Sequence, residues 1–233
     1  MALHRVYPHG RWRELLPGLW IIRGKIGAPL YRNMVVVRLP SNDLVIHSAV
    51  ALDDVGMAEL DSIGRPAYVI VPNAQHQMDA PFYGPRYPGL RMICPEAARL
   101  EIRPVATIVA TAEEVLPGLG FVLHPVPGSK AKEYVYEYAL PSSDRILIIN
   151  DMIWGPNATP DNLGGRLMNM LLVGFHDRYG IARVYRRRMV TDMPSLKRFI
   201  AGLSTVAGLK LVTISHGDPI ATNTAAELRA IGA

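Results

Sequence analysis

One cysteine, Cys94, stands in the 233 residues. A lone thiol excludes an internal disulfide framework and any zinc site built from several cysteines. Charge is also sparse: 19% of residues are Asp, Glu, Lys or Arg, and the formal net charge is +5. So mild an excess permits an anionic partner without demanding one. No stretch approaches the roughly 18–20 uninterrupted apolar residues of a membrane span, so no membrane partner is expected. The opening MALHRVYPHGRWRELLPG carries charges with no apolar segment behind them. A secretory signal is therefore not expected, and the cytoplasm is the default compartment. Gly-x-Gly-x-x-Gly, P-loop and Gly-x-Ser-x-Gly patterns are missing, which argues against nucleotide-cradling and serine-hydrolase chemistry. There is no internal repeat. What is present is a 49% hydrophobic content, too high for a disordered chain and sufficient for a sizeable core.

Glycine and proline are spread along the whole chain, as in a fold of many short elements. Residues 34–39 (MVVVRL) and 44–47 (LVIH) flank a polar turn and predict a β-hairpin. Residues 53–63 predict a helix capped by Asp53 or Asp54 and stopped by Gly64. Strands follow at 68–71, 90–94 and 105–111, with a short helix over 95–100. Further strands are expected at 119–124, 134–139 and 146–149. Beyond them the texture turns helical. Leu167, Met170, Leu171 and Gly174 share one helical face over 163–175. Leu196, Phe199, Ile200 and Leu203 share another over 193–203, with Asp192 as its cap. A strand at 211–215 and a helix from about Pro219 to Ile231 close the chain. The reading is one α/β domain over 1–233, with 155–205 as a helical insertion.

Three apolar strands run into chemistry-bearing residues: AYVIV into Pro72-Asn73-Ala74-Gln75-His76, ILII into Asn150-Asp151, and LVTIS into His216-Gly217-Asp218. Strand carboxyl ends are where covered sheets gather their sites. Neutral imidazoles and a carboxylate suit a divalent metal. A lone histidine after a strand is more often a hydrogen-bonded loop residue, so the weight rests on the coincidence of three.

The order of these segments resembles the metallo-β-lactamase superfamily and, more closely, a bacterial branch of it known as a domain of unknown function. LPGLWIIRG resembles the superfamily's first strand. RNMVVVRLPSNDLVIHS and VALDD resemble the branch's second hairpin and first helix. VPNAQHQ stands where the superfamily has His-x-His-x-Asp-His, KEYVYEYALPSSDRILIINDMIW resembles the stretch leading to the bridging aspartate, and ISHGDPI the last ligand histidine. The resemblance covers nearly the whole chain. It implies an αββα four-layer sandwich with two mixed β-sheets. It also implies a metal site of His76, Asp151 and His216, with Asp151 and His76 at the reacting centre. Asn73, Gln75, Glu133 and Asp218 would stand around it. The departures empty one of the superfamily's two sites, whose three histidines fall on Val71, Asn73 and Ser129, while Gln75 stands in place of the aspartate of the retained site.

One divalent metal (Zn, Fe or Mn) is thus the implied cofactor, and the loss of ligands leaves open that none binds. The function so implied is a metal-dependent, hydrolase-like protein acting on an ester, lactone or phosphoester. The alternative is a non-catalytic module that keeps the fold and binds a small molecule or an anion. His124 is a substitute ligand or a strand-end loop residue. His47 reads as buried and hydrogen-bonded, and His4, His9 and His176 as surface. Asp79 and Glu133 are candidate acids or bases that more commonly face solvent. Arg183, Arg186, Arg187 and Arg188, joined by Lys197 and Arg198 and interleaved with Tyr179 and Tyr185, form the strongest charge cluster. Such runs are usually solvated faces, so nucleic acid is the weaker partner beside a small molecule. A second copy of the chain remains open as a partner.

Overall fold

The computed structural model describes residues 5–233, so His4 lies outside the described residues. The chain forms two compact units. One comprises the residues up to Lys25 together with Asn33–Gly120, and the other Ile26–Arg32 together with Phe121–Ala233.

In the first unit, β1 (Arg13–Leu16), β2 (Leu19–Lys25), β3 (Tyr31–Arg38, whose first two residues fall in the second unit), β4 (Asp43–His47), β5 (Arg65–Ile70), β6 (Arg91–Cys94) and β7 (Ala110–Thr111) form one seven-stranded sheet in that order. The expected hairpin is β3–β4, antiparallel from Val35↔His47 to Arg38↔Leu44. From β4 onward the pairing is parallel, which requires crossover connections. The first of these is α1 (Asp54–Ile63), whose start and stop match the sequence signals. Asp53 accepts a bond from the Gly56 amide, and Gly64 follows the last turn. Met57, Leu60 and Ile63 bury one face of α1 in the unit's core with Val36, Leu44, Ile46 and Val69. Two short helices, α2 (Arg99–Ile102) and α3 (Ala112–Val115), complete the unit.

Two expectations change in this unit. Of the strand foreseen over 105–111 only Ala110–Thr111 forms, because β6 offers it just two partners, Ile93 and Cys94. His9 is not a surface residue: its side chain is only 7% exposed. Its Nε2 accepts the Asp53 amide at 3.0 Å, while Nδ1 lies 2.9 Å from the Gly10 carbonyl and donates to it. An imidazole fixed in that tautomer satisfies a backbone N–H at the start of α1 that the helix cannot satisfy itself.

The second unit holds a four-stranded mixed sheet in the order β11-β10-β9-β8, with β8 (Phe121–Pro125), β9 (Tyr134–Ala139), β10 (Arg145–Trp154) and β11 (Leu209–His216). Its helices are α4 (Leu163–Met168), α5 (Arg183–Arg188), α6 (Met193–Leu203) and α7 (Thr224–Gly232). Leu196, Ile200 and Leu203 of α6 pack with Leu228 and Ile231 of α7 and with Leu147, Ile149, Val212 and Ile214 of the sheet. Each side chain so buried contributes about 1.5–3 kcal/mol.

Here too the structure corrects the pattern. α4 gives way to a π-helical stretch, Asn169–Val173, and its apolar residues face outward: Leu167, Met170 and Leu171 are all more than half exposed. The buried face is instead Gly165, Asn169 and Val173. A Cβ on Gly165 would fall 1.8 Å from the Pro160 carbonyl oxygen. That close approach of backbone to backbone decides which side faces inward. The last helix starts at Thr224 rather than near Pro219, because Ile220 is drawn into a bridge with Val212. Among the described residues no helix is long and apolar enough to cross a membrane.

Candidate metal centre

In the first unit, β5 ends at Ile70 and the chain turns at Asn73. The Asn73 Oδ1 accepts the amides of Gln75 and His76, at 3.0 and 3.2 Å, which winds Ala74–His76 into a 3-10 turn. That turn carries His76 inward, where it is 3% exposed. Its Nδ1 lies 2.7 Å from Ser48 Oγ. Ser48 follows β4 in a left-handed conformation, φ +57°, a strain of order 1–3 kcal/mol for a residue other than glycine. The Ser48 amide bonds to the Ile70 carbonyl, which helps to hold that conformation. With Ser48 Oγ as acceptor, His76 carries its proton on Nδ1 and presents the Nε2 lone pair, the form a metal takes. Asn73 therefore acts as the cap that aims His76. Gln75, expected near it, is exposed, since adjacent residues of a 3-10 turn project about 120° apart.

In the second unit, β10 continues beyond Ile149 instead of ending there. Its parallel register to β11 runs Ile149↔Ile214 and then Trp154↔His216. Residues 150–153 thus stand against Ser215 alone, and such a bulge re-aims the side chains within it. Asn150 and Asp151 lie in this bulge and His216 is the last residue of β11, so neither Asp151 nor His216 sits on a loop. The Asn150 amide group donates from Nδ2 to Glu133 Oε2 and to Asp151 Oδ2, both at 3.1 Å, while its Oδ1 accepts Ser215 Oγ at 2.7 Å. With one carboxylate oxygen held in this way, Asp151 turns Oδ1 to His216 Nε2 at 3.2 Å. His216 Nδ1 lies 2.6 Å from the Tyr31 carbonyl oxygen. A carbonyl only accepts, so Nδ1 bears a proton and Nε2 faces the carboxylate; in the neutral ring Nε2 offers its lone pair. Trp154 secures both partners: its ring stacks on His216 at 4.0 Å, and its Nε1 donates to the Asp151 carbonyl at 3.0 Å.

A cation between imidazole and carboxylate relieves their facing lone pairs, and a proton on Nε2 serves that purpose as a metal does. Two ligand atoms of one tetrahedral ion, each bonded at about 2.0–2.1 Å, stand about 3.3 Å apart. The 3.2 Å separation is compatible with that spacing and equally with an N–H···O bond.

Behind Asp151 lies Glu133, 4% exposed. Burial, and then the charge of Asp151, push its carboxyl up to about 7. Tyr185 donates its hydroxyl to Glu133 Oε1 at 2.7 Å, and Ser129 Oγ lies 2.8 Å from the same hydroxyl. Burial, followed by the charge of Glu133, raises the Tyr185 hydroxyl far above its usual range.

No family model matches the sequence, and no curated relative does. Solved structures do share its architecture. A metallo-β-lactamase from Hirschia baltica is similar over 97% of this chain and 98% of its own, with a TM-score of 0.60 at 13% identity. The metallo-β-lactamase FIM-1 from Pseudomonas aeruginosa, in a mono-zinc form, is similar over 99% and 97%, with a TM-score of 0.60 at 10% identity. The metallo-β-lactamase DIM-1 gives a TM-score of 0.64 at 11% identity over 98% of each chain. This chain has the metallo-β-lactamase fold.

Within the metallo-β-lactamase fold, His124 and Asp218 are tied to neighbouring residues. His124 Nε2 lies 2.9 Å from Glu137 Oε2 on the neighbouring strand, and Glu137 also holds Arg145. His47 is buried at the end of β4 and His176 is exposed. Asp218 accepts the Asn157 side-chain amide at 2.7 Å. Asp79 precedes the short turn Ala80–Phe82. Glu133 does not face solvent as most such carboxylates do. Ser215, Trp154, Ser48 and the Tyr31 carbonyl carry no signal in the sequence, since they act through tertiary contacts; Asn150 stands out there only beside Asp151, and Tyr185 only within the basic cluster.

Proposed function

We propose that Asp151 and His216 of the second unit, joined by His76 as the resemblance in sequence implies, form the single-cation centre of a metallo-hydrolase-like protein. The observation that carries the reading is the Asp151–His216 pair at 3.2 Å with His216 Nδ1 committed to Tyr31. A pair held in that tautomer and at that spacing is arranged for a cation before one arrives. A bound divalent ion would supply Lewis acidity toward water and toward an ester, lactone or phosphoester oxygen.

The chain's own residues orient the donors. Ser48 holds the ring of His76 in place, Tyr31 sets the tautomer of His216, and Asn150 the rotation of Asp151. Trp154 covers one face of the His216 ring and limits water there. Further support for a single cation comes from the positions where the resemblance expects other ligands. Val71 is wholly buried, Asn73 is spent on the 3-10 turn, and Ser129 is bonded to Tyr185 and to the Ala131 amide.

Protein purified without chelator should carry about one equivalent of Zn, Fe or Mn, and His216→Ala should lose it. Metal-free protein with undisturbed hydrolysis of ester, lactone and phosphoester probes would overturn the reading. If the metal is present but none of these probes is hydrolysed, the binding-module alternative takes its place.

A further inference from the structure

A second site stands apart from the donors just described. In the second unit the segment after the π-helical stretch, together with α5, α6 and α7, lines a half-open pocket of about 440 Å³. That is within the roughly 300–1,000 Å³ range of small-molecule sites. Arg178, Arg183, Arg186 and Lys197 line it, and so do the rings of Phe175 and Tyr179. No acidic side chain lines it. Among the described residues none of the four cations forms an ion pair with a carboxylate, including that of Ala233 at the cavity wall.

The cavity has a built element as well as charge. Gly174 ends the π-helical stretch at φ +86°, and a Cβ there would lie 3.2 Å from Arg183 Nε and Nη2. The missing side chain lets the guanidinium lie close over the turn, where Nη1 is anchored on the Met170 carbonyl at 2.8 Å. One donor is spent on that anchor, and a guanidinium has five. Arg178 rests over the Phe175 ring at 5.6 Å. The basic segment is therefore not a uniform solvated face. Arg183 and Arg186 turn toward the cavity, Arg187 is not part of its lining, and Tyr185 points into the core toward Glu133.

We propose that this cavity binds a small phosphorylated molecule, its phosphate held by Arg183, Arg186 and Lys197 and its organic part against Phe175 and Tyr179. Three arginines to one lysine favour phosphate, because the planar fork pairs with two phosphate oxygens at once. A half-open pocket with four cations grouped around two aromatic rings favours a compact ligand over an extended polymer, which needs a continuous basic track.

The test is calorimetric titration of the full chain, treated with chelator so that the metal centre does not contribute, against AMP, pyrophosphate, adenosine and a single-stranded oligonucleotide. Saturable binding of AMP or pyrophosphate at one per chain, with adenosine inert, is expected. The Arg186→Gln/Lys197→Gln double variant should weaken it by about tenfold or more through loss of charge-assisted bonds. Arg187→Gln should leave it unchanged. Both sets of changes are at side chains outside the packed core, so circular dichroism should show the same fold. Absence of saturable phosphate-ligand binding would overturn the proposal. So would equal weakening by Arg187→Gln, or a preference for the oligonucleotide that the same double variant abolishes.

Discussion

Tyr185 reaches across fifty-two positions of sequence to place its hydroxyl 2.7 Å from Glu133, so a residue of the basic segment supports the carboxylate behind Asp151. Tyr185→Phe removes one donor from the buried Glu133 carboxyl group. The cost should be about 1.5–3 kcal/mol, the usual worth of a hydrogen bond to a charged group. Urea denaturation checks it: the midpoint should fall with an unchanged slope, and an unmoved midpoint would refute it.

Glu133 also makes stability depend on pH. Its carboxyl titrates at about 7 in the folded chain against a usual 4.5. Between these values the folded protein holds a proton that the unfolded chain has released, so stability declines as pH rises and levels off above about 7. In metal-free protein, Glu133→Gln should flatten that decline. Melting temperatures of the two proteins, followed from about pH 5 to 8, should diverge rather than run parallel.

Ser48 fixes the His76 imidazole, and a partner of this kind is commonly worth 10–100-fold in metal affinity. Ser48→Ala should weaken metal uptake by about that range, measured by competition with a chromophoric chelator. Uptake equal to that of the unaltered chain would show that His76 is not a ligand.

Gly217 follows His216 at φ +103°, and a Cβ there would lie 2.5 Å from the Gly155 carbonyl oxygen. Gly217→Ala should cost about 2 kcal/mol or more and lower the metal content, because relief of the clash shifts His216 away from Asp151. Wild-type metal content in a destabilised variant would separate the two effects.

His9→Ala should remove one capping bond from α1, at about 1 kcal/mol. Amide exchange should quicken at Asp53 and in the first turn of α1, while the second unit is unchanged.

The legible parts of the chain were those written in neighbouring residues. Asp53 and Gly64 bound α1, and Asp192 with the spacing Leu196, Phe199, Ile200, Leu203 specified α6, because caps and helical period are local properties. His76, Asp151 and His216 stand out in the sequence because each follows an apolar run. What surrounds them does not. Asn150 and Asp151 interrupt an apolar run and so mimic a strand end, whereas the β10–β11 pairing carries the strand on to Trp154. The outward face of Leu167, Met170 and Leu171 was misassigned because hydrophobic spacing reports a helix and not which side it buries. A backbone approach at Gly165 made that choice.

The four-against-one bulge of β10 has a consequence for how the chain can change. Side chains along a strand alternate between faces, so deletion of any single residue from 150–153 would rotate Asn150 or Trp154 to the opposite side. Point substitutions in this stretch are graded insults, but a change in its length is all or nothing. Related chains that keep the same carboxylate in use should therefore vary in composition here while holding the residue count constant.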